Sequence, residues 1–194
     1  MGEQHFFVYR AIKVPAPKFV EFWAEQYRYP EEKLYTDNIQ SPHTCETLRN
    51  LFKWKIEPRF RTRHLRLVEK NFISRLEEAR QRAPATDAAD FLRLFSAGGA
   101  VYRIFWMHCW EPKRFPIYDQ HVHRAMNFIV GEKHKELSKF KPEEVVKLYL
   151  SRYLPFWGSF ADFDGRKVDK ATWAFGKYIK YPKFPTLAKS VGEK

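Results

Sequence analysis

The fold of this chain is organised around residues 95–124, which read FSAGGAVYRIFWMHCWEPKRFPIYDQHVHR. The paired glycines Gly98 and Gly99 predict a tight turn. The run that follows, residues 101–110, is apolar and aromatic and long enough for about three helical turns. Asp119 then stands where another helix should begin, because aspartate is a favoured N-cap residue. The stretch therefore predicts a helix, a hairpin, a second helix, a short loop and a carboxylate at a helix start.

Helical spacing of apolar residues and helix-capping residues recur along the rest of the chain. They predict helices over residues 15–27, 45–55, 63–82, 88–95, 101–110, 120–130, 141–154 and 168–180. Residues 30–39 are predicted as a loop with a short helical turn, and residues 156–166 as an aromatic loop. The apolar run Phe6–Tyr9 predicts a strand or an extended arm, and the chain from Tyr181 a mobile basic tail. We therefore expect an all-α fold.

The chain is strongly basic, with 35 Lys and Arg residues against 23 Asp and Glu and a formal net charge of +12. Such a balance favours a polyanionic partner, of which nucleic acid is the commonest. The alternative is a basic protein whose charges are only solvated. The densest basic run, Arg59–Arg66, has the same two interpretations, a strip of phosphate contacts or a solvated helix face.

Cysteine content and hydropathy favour an intracellular location, in the cytoplasm, nucleoid or nucleus. Cys45 and Cys109 are far apart and have no metal-ligand spacing, which is typical of a reducing compartment. No apolar run approaches the length needed to cross a bilayer. The first residues also lack the basic start and long apolar core of a signal peptide. We expect no membrane association.

The hairpin and the Asp119 segment together resemble the helix-hairpin-helix DNA glycosylases, the superfamily of endonuclease III and the adenine glycosylases. That family has a Leu-Pro-Gly-Val-Gly-like hairpin, a helix, and an aspartate in a stretch such as Pro-Ile-Leu-Asp-Gly-Asn-Val-Lys-Arg. Phe115–Asp119 and Val122–Arg124 match the second part, whereas Ala97 replaces the usual first glycine of the hairpin. The resemblance runs from near residue 86 to near residue 180. It implies a glycosylase-like core with a basic tail over residues 85–194. The resemblance does not extend to residues 1–84, which we expect to form an N-terminal helical extension packed on the core in one compact unit.

The resemblance implies hydrolysis of the N-glycosidic bond of an altered base in duplex DNA. Such a bond breaks through an oxocarbenium-like transition state, which the Asp119 carboxylate would stabilise, or Asp119 would activate a water. The alternative is that Asp119 is a plain helix cap, although a cap can also be catalytic. Bifunctional members carry a nucleophilic lysine where this chain has Val101, so the enzyme would be monofunctional. The iron–sulfur cysteines of endonuclease III are absent, and no cofactor is expected.

Residues near the hairpin are candidate DNA contacts. Gly98 and Gly99 would expose backbone N–H groups at a helix start, which can hold a phosphate with help from the helix dipole. Glycine pairs are also ordinary turns. Arg103, Lys113 and Arg114 could add positive charge, and Lys113 could equally be a solvated loop residue.

Three further side chains close to Asp119 have open roles. Tyr118 would either line the pocket of an extruded base or pack in the core. His123 would contact a phosphate, tune the acid or serve the structure. His121 and His123 do not form a metal pair, because a two-residue spacing on a helix points them apart and no third ligand is evident.

The sequence thus predicts a monofunctional DNA glycosylase with Asp119 as its catalytic carboxylate. The alternative is a helix-hairpin-helix module that binds DNA or a partner without catalysis. Val101 and the irregular hairpin favour the module, and the intact Pro-Ile-Tyr-Asp context favours the enzyme. Nothing in the sequence identifies the altered base.

Overall fold

The computed structural model describes residues 14–40, 42–57, 61–133 and 135–180. Within these ranges the chain forms helices and no strand, which confirms the all-α prediction. The interpretations of Phe6–Tyr9 and of the chain from Tyr181 lie outside the described residues. So does the first part of the basic run, residues 59 and 60.

The α-helices follow one another with short connections. They are α1 (Ala16–Glu25), α2 (Glu32–Asn38), α3 (Cys45–Ile56), α4 (Thr62–Asn71), α5 (Leu76–Arg82), α6 (Ala88–Leu94), α7 (Ala100–Trp110), α8 (Gln120–Ile129), α9 (Pro142–Leu148), α10 (Leu154–Gly158) and α11 (Gly165–Tyr178). Short 3-10 turns lie at Ile73–Arg75, Ala83–Ala85 and Leu137–Lys139, and a π-helical turn, Tyr149–Tyr153, joins α9 to α10.

The single helix predicted over residues 63–82 is wrong, because the chain breaks between α4 and α5. The break lies at Phe72, whose φ of −127° is outside the helical range. Just beyond it, the hydroxyl of Ser74 donates a hydrogen bond of 2.8 Å to the carbonyl of Lys70. A serine side chain that binds the carbonyl four residues back competes with the backbone and bends helices.

Two segments predicted as loops are partly helical. Residues 30–39 contain α2, and residues 156–166 begin inside α10, which continues past the expected stop at Pro155. A proline in a regular helix would clash with the carbonyl four residues before it. The wider π turn that precedes α10 changes this spacing, so the helix can pass through the proline.

One apolar core crosses the proposed boundary at residue 84. Phe52 and Phe72 stack with their ring centroids 4.9 Å apart, and Phe72 lies 5.6 Å from the ring of Trp106. All three side chains are essentially inaccessible to solvent. The residues before and after position 84 therefore share a core, and a smaller apolar cluster forms where α1 packs on α11.

Buried side chains bind two successive backbone carbonyls, those of Phe115 and Pro116, in the loop between α7 and α8. His108 lies 2.7 Å from the carbonyl of Phe115 through Nδ1 and 2.9 Å from the hydroxyl of Tyr35 through Nε2. Burial lowers the pKa of His108 to about 3, so the neutral ring donates to Phe115 and accepts from Tyr35. The hydroxyl of Tyr149 donates to the carbonyl of Pro116 at 3.3 Å. These contacts set where the start of α8 lies.

Helices α8 and α11 approach each other closely at Gly176. A Cβ atom at this position would lie 1.9 Å from the carbonyl oxygen of His121, so only glycine allows this distance between the helices. The guanidinium of Arg124 adds a hydrogen bond of 2.7 Å to the carbonyl of Gly176. The approach brings the beginning of α8 next to the C-terminal part of α11.

We expect Gly176→Ala to lower the free energy of unfolding by about 3 kcal/mol, because the new methyl group forces two backbones apart. The matched control is Gly158→Ala at the end of α10, where an added Cβ would meet no atom within 4 Å. The control should change stability by less than about 0.5 kcal/mol. Urea unfolding followed by circular dichroism measures both, and equal effects would contradict the packing argument.

Candidate functional site

Asp119 caps the N-terminus of α8, as the sequence predicts. Its Oδ1 accepts hydrogen bonds from the amides of His121 at 2.9 Å and Val122 at 3.2 Å. Its Oδ2 accepts a hydrogen bond of 3.0 Å from Nζ of Lys55, on α3. The Asp119 side chain is 18% exposed and that of Lys55 only 7% exposed. The carboxylate is thus oriented from two sides and still reaches solvent.

The surroundings keep Asp119 ionised. Burial alone would raise its pKa. The Lys55 ammonium, His121 and the hydrogen bonds each lower the pKa, and together they outweigh the effect of burial. The helix N-terminus also favours a negative charge. The pKa of Asp119 therefore lies below its ordinary value, and the group is a carboxylate at neutral pH.

Asp119 lies at the edge of an open groove of about 740 Å³, here called the Asp119 groove. Its lining includes the basic residues Lys55, Arg63, His64, Lys177 and Lys180, the aromatic residues Tyr29, Tyr102 and Trp173, and the acidic residue Glu57. Val101 and Tyr102 come from the first turn of α7, so the hairpin borders the same groove. Positive charge, aromatic rings and one ionised carboxylate thus meet on one surface.

A much smaller space, here called the inner cavity, lies next to the groove. Its volume is about 20 Å³, enough for one water molecule but not for a nucleobase. It is lined by Tyr27, Tyr29, Trp54, Lys55, Ile117, Asp119, Val122, Arg166, Asp169 and Trp173. Tyr29, Lys55, Asp119 and Trp173 line both spaces and form the boundary between them.

The inner cavity contains a second carboxyl group, that of Asp169 on α11. Asp169 is 5% exposed, and its Oδ1 has no hydrogen-bond partner among the described residues. Its Oδ2 lies 4.0 Å from Nη1 of Arg166. Burial raises the pKa of Asp169 to about 7, and the charge of Asp119 acts in the same direction. Arg166, Lys55 and a backbone hydrogen bond at Ile117 oppose the rise without cancelling it.

Arg166 makes its shortest contact with α2, although the charge of Asp169 also acts on it. Its Nη2 lies 2.6 Å from Oε1 of Glu32, and its guanidinium lies 4.1 Å from the centre of the Tyr35 ring. The other Glu32 oxygen accepts hydrogen bonds from Tyr27 at 2.9 Å and Trp54 at 3.2 Å. This network joins α2 and α3 to α11 beside the inner cavity.

The structure places Tyr118 in the core, so its predicted role in a base pocket is wrong for this arrangement. Its side chain has 0% exposure, and its ring stacks on Tyr153 with centroids 4.8 Å apart. Its hydroxyl lies 2.7 Å from Nδ1 of His123. His123 is itself 1% exposed. A base or a phosphate in the groove can reach neither side chain without opening the core, so His123 is a structural residue.

Arg103 is also buried, contrary to its predicted contact with DNA. Its guanidinium donates to the carbonyl of Phe95 at 3.1 Å and to that of Leu92 at 2.5 Å. These are carbonyls at the end of α6, which have no partner within the helix. Arg103 therefore holds the turn between α6 and α7 and does not face the groove.

The remaining predicted DNA contacts lie on the surface. Gly98 and Gly99 are exposed; Gly98 has a φ of +86°, and Gly99 is the N-cap of α7. Lys113 and Arg114 are exposed too, but they line a different concavity of about 910 Å³. The structure thus brings the hairpin and Asp119 to one groove and leaves Lys113 and Arg114 outside it.

Sequence reasoning missed Lys55, Asp169 and Trp173. A signal for two of them was present: Lys55 continues the buried stripe of α3 at the spacing of Leu48, Leu51 and Phe52, where an apolar residue is expected. Asp169 likewise lies on the buried stripe of α11. A charge at such a position needs a partner or a function, since burying it alone is costly.

Comparison of the chain with protein-family models, curated proteins and solved structures gives no match. In the described ranges, no group of three or more His, Cys, Asp and Glu side chains is placed to hold a metal ion. No helix in the described part of the chain is sufficiently long and apolar to span a bilayer. The resemblance to helix-hairpin-helix glycosylases stays a prediction.

We expect Lys55→Met to raise the pKa of Asp119, because the ammonium that favours the carboxylate is removed. A depressed carboxyl pKa stabilises the fold above the unfolded-state pKa, and this stabilisation is lost as the pH falls through the folded-state pKa. The variant should therefore lose about 2 kcal/mol of stability near pH 7, and its free energy of unfolding should change less as the pH falls. NMR titration of the Asp119 carboxyl carbon and unfolding at several pH values measure this.

The matched control is Lys53→Met, which removes the same charge from an exposed position on α3. The pKa of Asp119 in this control should be the same as in the unmodified protein. A similar shift in both variants would mean that general charge, not the ion pair, sets the pKa of Asp119.

Proposed function

We propose that this chain binds duplex DNA along the Asp119 groove and hydrolyses the N-glycosidic bond of an altered base, as a monofunctional glycosylase of the helix-hairpin-helix type. The observation that carries the proposal is the position of Asp119. An ionised, partly exposed carboxylate lies at a helix start beside a groove rich in basic and aromatic side chains. These are the groups that base excision requires.

The chemistry proposed for Asp119 is electrostatic. As the bond between C1′ of the sugar and the base nitrogen lengthens, positive charge develops on the sugar, and a nearby carboxylate stabilises it. The amides of α8 and Lys55 hold the carboxylate without using all its lone pairs, since two carboxylate oxygens offer about four acceptor sites. The group is thus oriented before the substrate arrives.

The groove supplies contacts both for the phosphate backbone of DNA and for an extruded base. The first turn of α7 borders it, and its N-terminal amides with the helix dipole suit a phosphate. Arg63 and Lys177 add positive charge on the same surface. Tyr29, Tyr102 and Trp173 offer rings on which an extruded base can stack.

The side chains at the groove favour hydrolysis without a lyase step. Val101 lines the groove at the position of the nucleophilic lysine in bifunctional relatives, and valine has no nucleophilic group. The amine of Lys55 is already engaged in its ion pair with Asp119. We therefore expect no Schiff base with the sugar.

One observation favours a second candidate, a helix-hairpin-helix module that binds DNA or a partner without catalysis. The inner cavity is too small for a base, so a base bound close to both carboxyl groups requires movement of Tyr29 and Trp173. If these side chains do not move, the groove serves binding alone.

Catalysis is tested by incubating the protein with duplexes that each carry one altered base and assaying for alkali-sensitive sites. We expect cleavage at one lesion or more, and a loss of about 100-fold or more in Asp119→Asn with DNA binding retained. The control is Asp87→Asn, which alters another aspartate N-cap, that of α6, on the exposed surface. It should keep full activity. Absence of product on every lesion would favour the binding module.

The binding surface is tested by the salt dependence of DNA affinity. Arg63→Ala and Lys177→Ala should each weaken binding and reduce the slope of log K against log salt by about 1, because each removes one phosphate contact. Lys113→Ala removes the same charge from the other concavity and should have little effect. A larger effect of Lys113→Ala would place the DNA on that concavity instead.

A further inference from the structure

The inner cavity holds two carboxyl groups in opposite electrostatic environments. Asp119 is partly exposed, accepts two amide hydrogen bonds and pairs with Lys55. Asp169 is almost fully buried, and one of its oxygens is left without a hydrogen bond among the described residues. Buried polar atoms in native proteins are nearly always paired, so an unpaired oxygen on a residue that lines a cavity calls for an explanation.

The groups around Asp169 do not neutralise it. They are Arg166 on its own helix, Lys55 on α3, Asp119 before α8, Tyr35 on α2, Tyr149 and Tyr153 of the π turn, and the backbone at Ile117, which contributes a hydrogen bond. Arg166 is the nearest cation, but it lies 4.0 Å away and makes a shorter contact with Glu32, at 2.6 Å. The hydroxyl of Tyr153 is also buried without a partner in the described structure. Burial therefore dominates, and the pKa of Asp169 rises to about 7.

We propose that Asp169 is the proton donor of the excision reaction and protonates the departing base while Asp119 stays ionised beside the sugar. This inference rests on the proposed glycosylase function. Two carboxyl groups whose environments separate their proton affinities can serve as acid and as charge stabiliser in one site. A neutral base is a poor leaving group, and proton donation during bond cleavage accelerates its departure.

The step balances as a hydrolysis. The bond between C1′ and the base nitrogen breaks, its electron pair goes to the base, and the Asp169 carboxyl proton is transferred to the base. Water then adds to C1′ and releases one proton to solvent, and solvent reprotonates Asp169. The products are the free base and a sugar with a hydroxyl group at C1′.

Asp169 lines both the inner cavity and the concavity of about 910 Å³. In this proposal the base reaches it from the Asp119 groove, across the boundary between the groove and the inner cavity. Tyr29 and Trp173 line both the groove and the inner cavity, so displacement of these two rings joins them. The joined space has aromatic walls, Asp119 at its sugar side and Asp169 at its inner end.

The test compares Asp169→Asn with the unmodified protein on two kinds of lesion duplex between about pH 5.5 and pH 9. One duplex carries a neutral altered base; the other carries an N-alkylated base that is already cationic and needs no proton to leave. In the unmodified protein, base release from the neutral lesion should fall tenfold for each pH unit above the Asp169 pKa, because deprotonation removes the donor. The cationic lesion should lack this dependence.

Asp169→Asn should be about 100-fold slower on the neutral lesion and should lose the alkaline fall, while release of the cationic base stays within about threefold. The control Asp162→Asn, at an exposed position before α11, should behave as the unmodified protein. An unchanged rate and pH profile in Asp169→Asn, or an equal loss on both lesions, would overturn the proposal and leave the glycosylase function intact. No base release by the unmodified protein on any lesion would overturn both.

A second measurement does not depend on the variant's folding. In protein labelled with carbon-13 at the Asp carboxyl groups and assigned through the backbone, the Asp169 resonance should titrate near neutral pH and that of Asp119 far below it. An Asp169 carboxyl that is fully ionised at pH 5 would overturn the proposal whatever the kinetics show.

Discussion

The ion pair between Lys55 and Asp119 is the interaction on which the site depends. It joins residues 64 positions apart in the chain, one near the end of α3 and one at the start of α8. Because both side chains are largely withdrawn from solvent, each charge needs the other, and the remaining carboxylate lone pairs need the amides of α8. The first part of the chain therefore contributes to the site, since it supplies the cation that favours the ionised carboxylate of the second part.

Helix α11 supplies the other side of the same site. Gly176 lets it approach α8, and the Arg166–Glu32 pair joins it to α2, so Asp169 lies where it lines the inner cavity. Asp119 and Asp169 line the same cavity, but their surroundings shift their pKa values in opposite directions. Asp119 has a close cation and a helix N-terminus, whereas burial and the neighbouring negative charge shift Asp169 toward its neutral form. This difference makes the site suited to acid–base chemistry.

Local sequence signals predicted the helices well where the stabilising contact spans only a few residues. Thr44 caps α3 together with Thr47, Asp87 caps α6, and Gly131 follows α8 with a positive φ. The errors arose where tertiary contacts override local pattern. Phe72 turns into the core and breaks a regular apolar stripe, and Tyr118 follows a glycosylase-like motif yet packs under it.

The sequence by itself determined the all-helical class, the capping position of Asp119 and the excess of positive charge, because these depend on composition and on residues three or four apart. Only the tertiary structure decided which side chains meet Asp119. Arg103 and His123 are close to it in the chain but point into the interior, while Lys55, Trp173 and Asp169 reach its surroundings from other helices. Helix packing sets these distances, and it depends on interdigitating side chains and on one glycine that allows close approach, which no local pattern encodes.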